Sequence, residues 1–332
     1  MGSKIIHPLI WSLLGISLST FAQARNDHAL WHDGSKIVSP RECGSCHRKE
    51  FAVWEETGHA RHSNVDDHYE TAEYVKLRMG VLSMNNNSVC VKCHYTGVKV
   101  GVGAVGVAGV SCESCHGPAK DWLNLHNTVR PNEDAAQREA RREMSLARGM
   151  IRPAELYQLA SKCFECHMVS EEELVNRGGH NTGTRDFNLL AAMEEIRHNF
   201  LHARFAAGKV ENTPFDMYRR RIIFVLGGIM DVEFSLRALA SSTQEGRYRK
   251  AMTKRLSDAC KKLEALCRTG YFPDIELLLE KIETIHPGQF KSKADEIADQ
   301  FSVSAKRFAV AADARSLEGV DKLLLSQKPQ KQ

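Results

Sequence analysis

Long apolar runs are scarce in this chain of 332 residues. The stretch Ile222 to Met230 is interrupted by Asp231 and Glu233. It is too short to span a bilayer, which takes about 20 residues. Charge of one sign is also scarce. The formal net charge is +4, and acidic prosthetic groups would offset even that. The sequence pI of 8.5 is therefore no sign of affinity for nucleic acid or a membrane surface. The Gly/Val-rich run Gly97 to Val110 holds no Lys or Ser/Thr in a phosphate-loop arrangement, which excludes nucleotide binding there. It suits a β-ribbon, or a backbone that lies flat against a planar group.

Cysteine and histidine, by contrast, are abundant, with 10 and 15 copies. Eight of the cysteines fall in four C-x-x-C-H motifs: Cys43 to His47, Cys90 to His94, Cys112 to His116 and Cys163 to His167. A shuffled chain of this composition would hold on the order of 0.01 such motifs. On a helical turn the positions i, i+3 and i+4 share one face. Two thiols and an imidazole so placed can hold haem c through its vinyl groups and its iron. The alternatives for a single copy are a redox dithiol or half a zinc site. Four copies, each followed by His, point to four covalently attached haem c groups. The cofactor-binding cysteines are then Cys43, Cys46, Cys90, Cys93, Cys112, Cys115, Cys163 and Cys166. The iron ligands beside them are His47, His94, His116 and His167.

Residues 1–24 have the pattern of a signal peptide. Lys4 precedes an apolar stretch, and Ala22-Gln23-Ala24 is a cleavage pattern. Cleavage near Ala24 would place the protein in the periplasm, with no transmembrane span left. No Cys follows that site, which argues against a lipoprotein.

The fold class expected is mainly α. Residues 25–207 read as an irregular multihaem cytochrome c domain with little regular strand. Residues 208–332 read as a C-terminal helical bundle. Short helices are expected from Arg48 to His59, Tyr69 to Met79, Asn132 to Arg148 and Phe187 to Phe205. In the bundle they are expected at 214–240, 243–268, 273–285, 289–313 and 316–325, with Pro214 as a helix start. Arg138, Arg141, Arg142 and Arg148 read as a solvated face, with a haem propionate as a possible partner for one of them. Cys260 and Cys267 are too far apart along one helix for a disulfide and read as buried thiols.

Several further histidines are available as second iron ligands. His28 and His32 lie in a polar segment and read as solvated. His59 is too close to His47 to turn back onto the same haem and suits a neighbour, with His62 as a competitor. The glycines before His180 would let it approach a haem closely. His198 and His202 are spaced for one helix face, but no third metal ligand accompanies them. They read as core or surface histidines.

The haem-motif region resembles the tetrahaem cytochrome c-554 family over roughly residues 40–180. The residues that carry this are Cys43 to His47 with Trp54 and Thr57-Gly58-His59-Ala60, then Cys90 to His94. Gly109-Val110-Ser111 with Cys112 to Pro118, then His126 and Cys163 to His167, complete the match. The resemblance implies crossed ligation. His126 would join His47, and His59 would join His116. A later histidine would join His167, for which His180 is chosen over His198. The His94 haem would keep an open site. It also implies a carrier of electrons between redox proteins in bacterial nitrogen metabolism, with a hydroxylamine-oxidising enzyme as donor. Two alternatives follow. One is an oxidoreductase that reduces NO or another nitrogen oxide at the open haem. The other is a haem subunit of a larger complex that docks through residues 208–332. The chain has no C-x-x-C-K motif, which counts against a reductase.

Overall fold

Each C-x-x-C-H motif forms the end of a short helix. In chain order, α1 (Pro40–Cys46), α5 (Ser88–His94), α6 (Cys112–His116) and α9 (Leu156–His167) carry them. Between them come α2 (Arg48–Glu55), α3 (Gly58–Arg61), α4 (Glu70–Met79), α7 (Leu123–His126) and α8 (Ala135–Ala147). After the last motif come α10 (Glu172–Asn176) and α11 (Leu189–Glu195). The long helices α12 (Met217–Ser241), α13 (Arg247–Cys267), α14 (Pro273–Glu283) and α15 (Phe290–Ala311) follow, with a 3-10 turn and α16 (Asp321–Leu325) last. The architecture is mainly α. This computed structural model describes residues 31–61, 70–127, 130–183, 187–200, 211–270, 272–286 and 289–326. The signal-peptide segment, His28, His62 and His202 lie outside the described residues.

The Gly/Val run is a β-ribbon. Strands β2 (Thr96–Val100) and β3 (Gly103–Ala108) pair antiparallel around Gly101, whose φ of 59° suits glycine. The short strand β1 (Trp31–His32) adds to β2 in parallel. Gly106 is glycine because a Cβ there would lie 2.6 Å from the Tyr95 ring. At the base of the ribbon the Thr96 hydroxyl donates to Gly109 O (2.7 Å), and Thr96 Oγ1 accepts from Ser111 N (3.2 Å). This clips the ribbon to the start of the third motif helix.

Glu113, between the two cysteines of that motif, is buried. Its carboxylate accepts from Val38 N (3.1 Å), Ser39 N (3.0 Å) and Ala119 N (2.8 Å). The residue before α1 is thereby fastened to α6. Ser39 has φ 90° and ψ 151°, a conformation that costs a non-glycine residue about 1–3 kcal/mol. The bond to Glu113 helps hold it there. The Trp54 indole adds a second tie by donating to Val110 O at 2.9 Å.

The main core is continuous from Leu156 to Leu324. Helix α12 lies at its centre, with Ile223, Leu226, Ile229, Met230 and Leu236 fully buried. It starts at Asp216, whose carboxylate caps Arg219 N (2.7 Å), and not at Pro214. The fourth motif helix shares this core. Phe164, one turn before His167, packs between Phe187 and Phe234, each 5.1 Å away by ring centre. Tyr157 on the same helix donates to Glu233 on α12 (2.9 Å) and meets Ser302 on α15 (2.7 Å). Burial raises the Glu233 carboxyl against the attraction of Arg237, and Arg237 donates to it at 3.0 Å.

Three expectations need correction. The helix expected from Phe187 to Phe205 ends at Glu195. His198 is past its end, held in a turn where Asn212 bonds Arg197 O (2.7 Å) and Asn199 N (2.9 Å). The arginines of α8 are not simply solvated. Arg141 makes a two-pronged bond to Glu133 (2.9 and 2.8 Å) and donates to Leu125 O (2.7 Å). Arg148 donates to Asp121 O (3.0 Å). Pro214 does not start α12, which begins after its cap Asp216, whereas Cys260 and Cys267 form no disulfide, as their spacing along one helix predicts. Burial pushes those thiols up to about 12 and about 11.

Glu113→Ala would leave several buried backbone N–H groups without an acceptor. It should cost roughly 3 kcal/mol, read as a fall in the denaturation midpoint at unchanged slope. Glu172 yields a pH test. Desolvation raises its carboxyl, but hydrogen bonds from Thr243, Gln244 and Ser242 outweigh that and leave it below the usual value. A lowered folded-state value stabilises the protein above the unfolded value of Glu, and that stability is lost as pH falls through the folded value. Glu172→Gln should therefore be less stable than the parent at neutral pH. The gap in urea midpoint should close below about pH 4.

Candidate haem centres

The motif helices meet through their thiols. Cys43 donates to Cys112, which raises the first thiol and lowers the second. Cys166 and Cys93 form a second such pair, with Cys166 raised and Cys93 lowered. The third and fourth motifs adjoin as well, since Cys115 and Cys163 repel each other electrostatically. Burial pushes these two up to about 11 and about 12. The four motifs thus form one connected cluster, in the spatial order first, third, fourth, second.

Each motif histidine faces a second histidine. The ring centres are 6.1 Å apart for His47 and His126, 6.2 Å for His94 and His180, 6.1 Å for His116 and His198, and 6.2 Å for His167 and His59. An iron held between two imidazoles needs two metal–nitrogen bonds of about 2 Å, plus roughly 1 Å from each nitrogen to its ring centre, or about 6 Å in all. All four pairs meet that spacing.

The rings are also oriented for it. Nδ1 of His116 bonds Ile151 O (2.8 Å), that of His126 bonds Leu123 O (2.7 Å), that of His180 bonds Asn181 O (2.7 Å) and that of His198 bonds Ile196 O (2.8 Å). A carbonyl only accepts, so each Nδ1 carries the proton and Nε2 keeps its lone pair for a metal. Burial pushes the imidazoles of His116, His126 and His167 below the usual histidine value. A neutral ring is the form that binds iron. Trp122 packs edge-on against His126, with ring centres 5.0 Å apart. Among the described residues no three His, Cys, Asp or Glu side chains converge as a metal site of their own. The geometry therefore fits haem and does not suggest zinc.

The His47–His126 pair is the one the resemblance implied. The others are exchanged. His59 faces His167, not His116. His180 faces His94, not His167. His198, which the sequence reading set aside, faces His116. The physical reason for the second exchange lies in the motif itself. Lys92, between Cys90 and Cys93, donates to Ser170 (3.0 Å) and Glu171 (2.8 Å) at the start of α10. That brings the segment ending in His180 against the second motif. No histidine is left unmatched among the four motifs. The sequence reading named seven of these eight histidines and carried His198 only as the alternative to His180 beside His167.

Comparison with known proteins finds a likeness in the haem-motif region. Residues 42–117 match the family described as cytochrome c554 and c-prime. The haem-motif region is thus similar to cytochrome c-554 proteins. Cytochrome c-554 of Nitrosomonas europaea (strain ATCC 19718) is 24% identical over 143 residues, covering 40% of this chain. The chain spans 57% of that relative's length. No solved structure matches. The c-554 likeness carries with it covalently bound haem c, and with haem c, iron. The family match ends at Gly117. No helix among the described residues is long and apolar enough to cross a membrane.

His198→Ala should uncover one face of the iron on His116. In the haem-loaded protein a high-spin signal of about a quarter of the total haem should appear by low-temperature EPR. Full retention of the low-spin signals would remove His198 from the ligand set.

Proposed function

We propose that this protein is an exported tetrahaem c-type cytochrome that carries electrons between redox proteins in the periplasm. The observation that carries the reading is the set of four facing histidine pairs, each spaced for one six-coordinate iron. Haem c would supply a one-electron centre, and with an imidazole pair holding each iron it would exchange electrons without offering a substrate a coordination site. The chain does the rest. Cys43, Cys46, Cys90, Cys93, Cys112, Cys115, Cys163 and Cys166 would anchor the groups. His47, His94, His116 and His167 would ligate them from the motif side. His126, His180, His198 and His59 would ligate them from the other side. The carbonyls of Leu123, Asn181, Ile196 and Ile151 hold ring orientation and strengthen the imidazoles as ligands.

The thiol contacts between motifs support close spacing of neighbouring centres, which fast transfer requires. Nitrogen metabolism, and a hydroxylamine-oxidising enzyme as electron donor, are proposed from the c-554 likeness. Export, cleavage near Ala24 and the division into a haem region, 25–207, and a helical region, 208–332, are likewise proposals.

The test is direct. Intact mass of the mature protein should show four haems. EPR of the oxidised form should show low-spin haem only, and the reduced form should not shift its spectrum on addition of CO or NO. Fewer than four haems, or a CO-binding haem in the parent protein, would overturn the reading.

A further inference from the structure

The helical region has no haem motif, yet its helix ends converge on one ligand. We infer that this region serves as a latch that holds His180 against the iron on His94, closing the site that the family resemblance leaves open. The inference rests on the reading that His94 and His180 share an iron.

Three successive ties fasten the segment from Glu172 to His180 onto the junction of α12 and α13. The Glu172 carboxylate accepts from Thr243 N (2.8 Å), Thr243 Oγ1 (2.7 Å), Gln244 N (3.0 Å) and Ser242 Oγ (3.1 Å). One turn on, Asn176 Oδ1 accepts from Tyr248 N at 2.9 Å. Helix α13 begins after Gly246, which has no side chain to cap it. Asn176 supplies that cap from another helix, and a Cβ on Gly246 would lie 2.9 Å from its amide. Last, Arg247 donates to His180 O at 2.6 Å and to Gly179 O at 3.4 Å. The arginine thus grips the backbone of the ligand residue itself.

The opposite side of the segment is held by the haem region. Lys92 bonds Ser170 and Glu171, and Arg78 donates to Arg177 O at 2.6 Å. Gly179 has φ 79°, and a Cβ there would meet the Tyr74 ring at 2.8 Å. Only glycine lets the chain pass that ring and present His180. His180 would therefore be a ligand set by clamping from two sides. Arg247 and Asn176 are positioning residues that act through it.

The experiment uses the full-length, haem-loaded protein. His180→Gly should convert about a quarter of the haem to a high-spin, CO-binding form, and added imidazole should restore the low-spin spectrum. Arg247→Ala and Asn176→Ala, singly and together, should each give a smaller fraction of the same species, with no increase when combined with His180→Gly. Arg247→Lys, which can still donate, should restore the parent spectrum. Arg221→Ala is the structural control. It breaks the bonds of 2.8 and 2.7 Å to Asp321 at the far end of the bundle and should lower stability without producing CO-binding haem. Arg247→Ala alone removes only exposed hydrogen bonds, so the test survives if the double variant does not fold. Three outcomes separate the failures. A CO-binding haem already in the parent overturns the six-coordinate reading. A parent and a His180→Gly variant both inert to CO overturn His180 as ligand. A CO-binding His180→Gly variant alongside inert Arg247→Ala and Asn176→Ala variants overturns the latch alone.

Discussion

Two imidazoles that share one iron must stand about 6 Å apart, ring centre to ring centre, and the chain meets this constraint four times over. Meeting it once requires two segments distant in sequence to be held to within a few tenths of an ångström. His59 and His167, or His116 and His198, are brought together from different elements of an irregular fold. Much of the remaining structure is the scaffolding for those separations. The short helices need only one or two turns each, because their task is to present two thiols and a ring on one face.

Hydrogen bonds to buried or half-buried carboxylates do much of the fastening. Glu113 gathers backbone donors on both sides of the third motif and ties the approach to the first. Glu172 does the same for the helical region. Glu133 steadies Arg141, which in turn holds Leu125 O beside His126. A domain that is to accommodate large planar groups, as proposed, would not rely on close-packed side chains alone. Directional bonds to the backbone fix loop positions where apolar packing is thin. The apolar packing is concentrated instead around α12, and α9 is the element that enters both regions, with Phe164 in the core and His167 facing His59.

This gives the helical half a place in the chemistry without any haem of its own. Its core supports α9 through Tyr157 and Phe164, and its helix junction reaches the segment that ends in His180. A second imidazole on each iron would favour electron transfer over ligand binding. The difference between a wire and a site open to small molecules would then rest on where one loop is pinned.

The sequence by itself determined the thiols, the motif histidines, the mainly α class and most helix limits, because these depend on local spacing. C-x-x-C-H is complete within five residues, Asn87 and Asp134 cap the helices that follow them, and the bundle helices follow apolar periodicity. The His47–His126 pair was also legible, through the resemblance. Which histidine faces each of the other three motif histidines was decided only by tertiary structure. His180 and His198 are separated from their partners by whole elements, and their approach depends on Lys92 meeting Glu171, on Gly179 passing Tyr74, and on Asn212 bracing the turn at His198. No local pattern encodes such meetings, since each is a contact between segments that the chain brings together only when it folds.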